Sequence, residues 1–222
     1  MKISKETFNI IRNFSGINQS IVLKPGNVIR TAVLGDVKDF YATANIKETI
    51  PVECAIYDLK KFRDCANLFS EPDFEFDTNF MTISDGKNNL KYVYCSQSII
   101  DAPDYNKNIS IKNPIVSFPL KYSEIKLAID ASNILGIRDI LISSECGTIT
   151  MIAFDEQNRS SDTFCVTIAT ETDCVDFTSK YSIEKMRKLI DGEYTVTIAD
   201  KVISEFKTTD VVYHIGGEII VK

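Results

Sequence analysis

YDLKKFRDCANLF (Tyr57–Phe69) decides how the rest of the chain is read. Leu59, Phe62, Ala66 and Phe69 recur three and four residues apart, which predicts one apolar stripe of a short helix. Asp58 stands near its start, where a carboxylate complements the helix dipole. Lys60, Lys61 and Arg63 occupy the remaining surface. The whole chain carries a net charge of −6, so this local excess of positive charge asks for an explanation.

Working outward, three further windows show helical periodicity. SKETFNIIRNF places Phe8, Ile10 or Phe14, and Ile11 on an apolar face, with Ser4 as N-cap and Lys5, Asn9 and Arg12 opposite. KYSEIKLAIDASNIL turns Ile125, Ala128 and Ile129 inward and Ser123, Lys126, Asp130 and Asn133 outward. SIEKMRKLI, capped by Ser182, points Ile183, Met186 and Ile190 inward and Glu184, Lys185, Arg187 and Lys188 outward. Nearly everything else is rich in β-formers broken by turn signals, such as Pro25-Gly26-Asn27 and Asp85-Gly86.

The order helix, several strands, short basic helix, more strands occurs twice, with an echo of FMTISDGKNNLKYVY in TVTIADKVISEFKTT. Between the two runs, SQSIIDAPDYNKNISIKNPIVSFP carries three prolines and no helical pattern. The expected organisation is an α+β chain of two similar domains, antiparallel sheet with helices on one face. The boundaries are expected at residues 1–100, a connector over 101–118, and 119–222.

Hydrophobic residues make up 44 % and charged residues 25 % of the 222, the balance of a soluble globular protein. MKISKETFNI lacks the apolar run of a signal peptide, and no apolar run is long enough to span a membrane, so a soluble intracellular protein is expected. The six cysteines, Cys54, Cys65, Cys95, Cys146, Cys165 and Cys174, form no Cys-x-x-Cys pair and are expected to be reduced and mostly buried. His214 is far in sequence from any cysteine pair, so no zinc site is expected. LKPGNV and HIGGEI lack the pattern of a phosphate-cradling loop. A cysteine nucleophile would have to use His214, which sits in a strand-like run. No enzyme activity, metal or cofactor is therefore expected.

The four helical windows, residues 2–14, 58–69, 121–135 and 180–190, hold twelve basic and six acidic residues, a net +6 that leaves −12 for the rest. Helices sharing one face of their sheets would make a positive surface on an acidic body, which attracts a phosphate backbone without reading sequence. Solvated lysines on ordinary surface helices are the plainer reading of any single window.

MKISKETFNIIRNFSGINQSIVLKPGN and ANIKETIPVECAIYDLKKF resemble the sliding clamps of T-even-like bacteriophages, the DNA polymerase processivity factors. The similarity is close over roughly the first seventy residues and continues beyond as similarity of length and element order. The resemblance implies the DNA clamp fold and a homotrimeric ring of six domains around double-stranded DNA. It further implies a replicative DNA polymerase docked on one face, a clamp-loader ATPase that opens the ring, and a place in the cytoplasm of the infected bacterial host. By position, Lys5, Arg12, Lys60, Lys61, Arg63, Lys121, Lys126, Lys185, Arg187 and Lys188 would face the DNA. Subunits would pair through NLKYVYC and DCVDF, giving Leu90, Tyr92, Tyr94, Val175 and Phe177 interface roles. A partner-peptide pocket would draw on Ile99, Ile100, Ile115, Val116 and Phe118, although ordinary core packing asks for the same residues. The competing reading from the residues is a virion structural β-protein that assembles through edge strands without DNA.

Overall fold

The computed structural model describes residues 1–33, 39–106, 108–155, 158, 160–170, 175–200 and 202–221. The chain divides into two compact units, Met1–Lys107 and Asn108–Lys222.

Unit one opens with α1 (Lys5–Ser15), whose N-cap Ser4 side chain accepts the Thr7 N–H at 3.3 Å. Glu48 accepts from the Ser4 N–H and from the Thr7 hydroxyl, tying the first turn to the neighbouring strand. Thr7, Ile10, Ile11 and Phe14 form the buried side of α1. Strands β1 (Ile21–Leu23) and β2 (Gly26–Ala32) follow, separated by the expected turn, where Gly26 takes φ 120°. β3 (Phe40–Ile50) pairs antiparallel with β2, and β4 (Cys54–Ile56) with β1.

Helix α2 (Leu59–Ala66) is capped by Asp58, whose carboxylate accepts the Lys61 N–H at 2.8 Å. Its Leu59, Phe62 and Ala66, with Phe69 beyond, are buried as the spacing predicts. β5 (Asp73–Phe76), β6 (Phe80–Ser84) and β7 (Asn89–Val93) form a three-stranded antiparallel sheet in that order. Phe8 of α1 and Phe62 of α2 both pack on Phe74 of β5, at 5.9 and 6.2 Å between ring centroids, and Phe62 meets Tyr92 of β7 edge-on at 5.5 Å. One aromatic cluster thus seats both helices on this sheet.

Unit two begins with β8 (Pro114–Lys121) and α3 (Tyr122–Leu135). β9 (Asp139–Glu145), β10 (Thr148–Ala153) and β11 (Phe164–Ala169) lead to β12 (Phe177–Ser182), α4 (Ile183–Met186), β13 (Glu193–Ala199), β14 (Ile203–Lys207), β15 (Val211–Gly216) and β16 (Glu218–Val221). One sheet runs β11-β10-β9-β12-β16, and the strands β15, β14, β13 and β8 pair in that order. Between them, the Tyr181 hydroxyl is held by Ser179 and Ser204 at 2.6 Å each, and Tyr181 and Tyr194 stand edge-on to Phe206.

The two units repeat one topology. β1 with β4 corresponds to β9 with β12, β2 with β3 to β10 with β11, and β5-β6-β7 to β13-β14-β15. Even the antiparallel bridge Lys2↔Asp73, ahead of α1, has its counterpart in the pairing of β8 with β13. The sequence echo matches the β6–β7 hairpin with β13–β14, one strand out of step with this correspondence.

The expected connector 101–118 is divided. Its end, residues 114–118, lies in β8. Pro114 and Pro119 hid this strand, because proline removes a ladder donor, but β8 lies at the edge beside β13, where one side needs no donor. Its beginning is bound to unit one. The Tyr105 hydroxyl donates to the Val22 carbonyl at 2.7 Å and accepts the Arg30 N–H at 3.1 Å. The Arg30 guanidinium donates to the Tyr105 carbonyl at 2.7 Å and lies 5.5 Å from the centre of its ring.

Candidate nucleic-acid interface

Seating α1 and α2 on one sheet leaves their polar sides outward. Lys5, Arg12, Lys60 and Lys61 are exposed and Arg63 is half-buried. None of these five cations has a side-chain partner among the described residues. The nearby acid Glu6 is drawn to Lys47 at 3.6 Å. A groove of about 700 Å³ separates the start of α1 from the end of α2, lined by Lys5, Asn9, Asn67 and Ser70, by the carboxylates Glu48 and Glu71, and by Phe8 and Phe69. The exposed cations on two adjoining helices suit a polyanion bound through its backbone.

Unit two treats its basic residues differently. Lys121, at the end of β8, and Lys126 on α3 are exposed, with Asp130 one turn beyond Lys126. The Lys121 N–H is bonded by Glu124 at 2.8 Å. α4 is one turn long, because the chain tightens after Met186: Lys188 N–H bonds to Lys185 C=O and Leu189 N–H to Met186 C=O. That tightening buries Leu189 in place of the expected Ile190. It also turns Lys185 away from solvent: half-buried, its ammonium donates to the Gly216 carbonyl at 2.8 Å. Lys188 is half-buried too, against the expected outward face, while Arg187 is exposed and bonded to the Asn133 side chain. Leu127 and Ile134, 49 % and 84 % exposed, share the open side of α3, a feature periodicity alone missed.

The expected interface residues fare unevenly. β7 is an edge of its three-stranded sheet, and along it Lys91 and Val93 face outward. Tyr92 is buried against Phe62, and burial pushes its phenol up to about 12. Leu90 and Tyr94 are half-buried. Of DCVDF, residues 173 and 174 lie outside the described residues, Val175 is half exposed, and Phe177 is fully buried where β12 is paired on both sides, to β9 and β16. The edges of that sheet are β16 and, at the far end, β11. Three of the five pocket residues are likewise core. Val116 and Phe118 alternate inward with Leu120 along β8, and Ile100 packs on Val22 and Ala55. Ile99 is exposed and Ile115 half-buried.

The cysteines correct another expectation. Cys54 is buried, its thiol pushed up to about 12 by burial, but Cys65 and Cys95 are half-buried and Cys146 and Cys165 exposed. These five are free, and Cys174 lies outside the described residues. His214 is buried opposite Glu205 on β14, 3.4 Å away, and its imidazole is pushed down from its usual value by burial, against the pull of that carboxylate. Among the described residues no group of His, Cys, Asp and Glu is placed to hold a metal, and no helix is long and apolar enough to cross a membrane.

Comparison with known proteins agrees with this geometry. The family described as DNA polymerase processivity factor matches residues 4–93. The sliding clamp of Vibrio phage KVP40 is 30 % identical over 224 residues, covering 99 % of this chain and 100 % of that one. The sliding clamp of Escherichia phage RB69 is 29 % identical, covering 98 % and 97 %. Among solved structures, PCNA from Thermococcus kodakaraensis superposes with a TM-score of 0.70 at 15 % identity, covering 96 % of each chain. The Helicobacter pylori beta clamp gives 0.74 at 12 % identity, covering 98 % of this chain and 65 % of that one. These structures establish the DNA clamp fold, and the near-complete match to the phage proteins establishes the family: the chain belongs to the sliding clamps, the phage DNA polymerase processivity factors.

Proposed function

We propose that three copies of this protein close into a ring around duplex DNA and tether the replicative DNA polymerase for processive synthesis. A clamp-loader ATPase opens the ring, in the cytoplasm of the infected bacterium. The protein acts as a topological tether, without catalysis of its own. The observation that carries this reading is the cluster of five cations on α1 and α2, without side-chain partners among the described residues, in a chain of net charge −6. A tether that slides must hold phosphates without reading bases, and long flexible cations on helices do so.

Ring closure follows from sheet edges. β7 in unit one and β11 in unit two each end a sheet. Pairing β7 of one copy with β11 of the next is a head-to-tail contact that satisfies both edges and closes after three steps. In this arrangement Leu90 and Tyr92 act through the backbone of β7, with Tyr94 just past its end, and the residues beside Val175 are replaced by β11 as the second edge.

Light scattering across a concentration series tests the ring. A mass of about 75 kDa, three times the subunit's 25.0 kDa, is expected. The triple reversal Lys60→Glu, Lys61→Glu and Arg63→Glu should keep that mass and shorten the products of loader-dependent synthesis. A monomer at every concentration, or a reversed variant as processive as the parent, would overturn the proposal.

A further inference from the structure

The two units share a topology but not the chemistry of their helical faces. In unit one, Lys5, Arg12, Lys60, Lys61 and Arg63 keep their cations unengaged among the described residues, the neighbouring Glu6 is occupied by Lys47, and one exposed acid, Asp64, stands one turn beyond Lys60. In unit two, the exposed Lys121 also keeps its cation unengaged among the described residues, but the other basic residues are engaged or offset. Lys185 is spent on the Gly216 carbonyl, Arg187 is bonded to Asn133, and Lys126 has Asp130 one turn away on the same open side. That side also exposes Ser123 and Asn133 and two large apolar side chains, Ile134 at 84 % and Leu127 at 49 %, seven residues apart. Seven residues are two turns, so the pair lies along one line of α3.

We infer that duplex DNA is gripped by the α1/α2 face of unit one and only guided by the α3 face of unit two. This deepens the proposed function and rests on it. Exposed charges act over roughly 8 Å at physiological salt, so a phosphate answers to the helix face directly before it. Before α1 and α2 it meets five cations set against the acids Glu6 and Asp64. Before α3 it meets Lys126 with Asp130 one turn away and the side chains of Leu127 and Ile134, a smaller excess of positive charge. In a ring of three copies, three gripping sectors then alternate with three smooth ones. A phosphate leaving one grip does not fall directly into another, and this keeps steps along the duplex short of a trap.

A photo-crosslinking amino acid, placed singly at Lys61 on α2 or at Lys126 on α3, reads the difference. Both positions are exposed, and both variants are full chains loaded on a linear duplex with blocked ends. Loading is verified by retention of the ring on that duplex. From the charge difference, crosslinking to DNA should be about fivefold greater from position 61 and should fall more steeply with added salt. Equal yields, or a greater yield from position 126, would overturn the asymmetric grip and leave encirclement intact. No crosslink from either position on a retained ring would overturn the DNA-facing assignment of the helices themselves, and the grip with it.

Discussion

Replacing Tyr105 by phenylalanine removes one oxygen atom and asks how the connector is held. The hydroxyl bridges the Val22 carbonyl on β1 at 2.7 Å and the Arg30 N–H on β2 at 3.1 Å. These strands belong to separate ladders, β1 pairing with β4 and β2 with β3. The hydroxyl therefore fills a seam in unit one. In unit two the corresponding β9 and β10 are joined by a continuous ladder over six residue pairs. Burial pushes the phenol up to about 12, so it remains a donor at neutral pH. Phenylalanine keeps the ring beneath the Arg30 guanidinium and keeps the backbone carbonyl that the guanidinium bonds. The substitution thus isolates two hydrogen bonds at a site where Val22 is 1 % exposed. Each such bond contributes about 0.5–1.5 kcal/mol net, and stripping a buried polar group of its partner costs about 1–3 kcal/mol, so a loss of about 2 kcal/mol is expected. Urea unfolding at fixed protein concentration measures the total, and amide exchange at Arg30 measures the site. If local opening governs exchange, the Arg30 amide should exchange about thirtyfold faster. A stability within about 0.5 kcal/mol of the parent, with Arg30 exchange unchanged, would refute the account of the seam.

Two further outcomes follow from the geometry. A Cβ added at Gly217 would lie 2.8 Å from the Lys180 carbonyl and 2.9 Å from the Tyr181 ring, which Ser179 and Ser204 hold in place, so Gly217→Ala should cost about 2–3 kcal/mol in urea unfolding; parent-like stability would show that β16 shifts freely. The Asp85 carboxyl is held below the usual carboxylate range by the Asn88 and Lys87 N–H groups and the Asn88 side chain. Because its folded pKa is depressed, the support it gives the β6–β7 turn is full above the unfolded value of about 4 and declines as pH falls through the folded one, which a carboxyl NMR titration of the parent beside unfolding of Asp85→Asn would resolve.

What could be read in the sequence was what local chemistry determines. Ser4 and Asp58 cap the helices expected of them, and the inward residues of α1, α2 and α3 follow the period of 3.6. Asp85-Gly86 makes its turn, with Gly86 at φ 85°. What could not be read was set by partners distant in the chain. Whether β12 is an edge depends on β16, which joins it from more than thirty-five residues away. Lys185 and Lys188 look solvent-facing by period, yet the carbonyl that captures Lys185 belongs to Gly216. Val116 and Phe118 are apolar enough for a pocket or for a core, and only the position of β13 beside β8 selects the core. Proline concealed β8 for the same reason: its cost depends on whether a neighbour stands on that side.

The pairing of β8 with β13 and of β12 with β16 also bears on how the chain emerges from the ribosome. Within unit one, the pairings of β1 with β4, β2 with β3 and β5-β6-β7, the Lys2–Asp73 bridge and the Tyr105 bonds can all form once Tyr105 is made. Unit two holds β8 unpaired until Glu193–Ala199 arrives, and leaves one side of β12 open until Glu218–Val221. At roughly 5–20 residues per second, the nearly eighty residues between β8 and the end of β13 keep that edge exposed for several seconds. A proline-bearing strand is well suited to such a wait, because it offers fewer donors to the same strand of a neighbouring nascent chain. Pro114 and Pro119 thus give β8 a protective role during synthesis, separate from anything the finished ring requires.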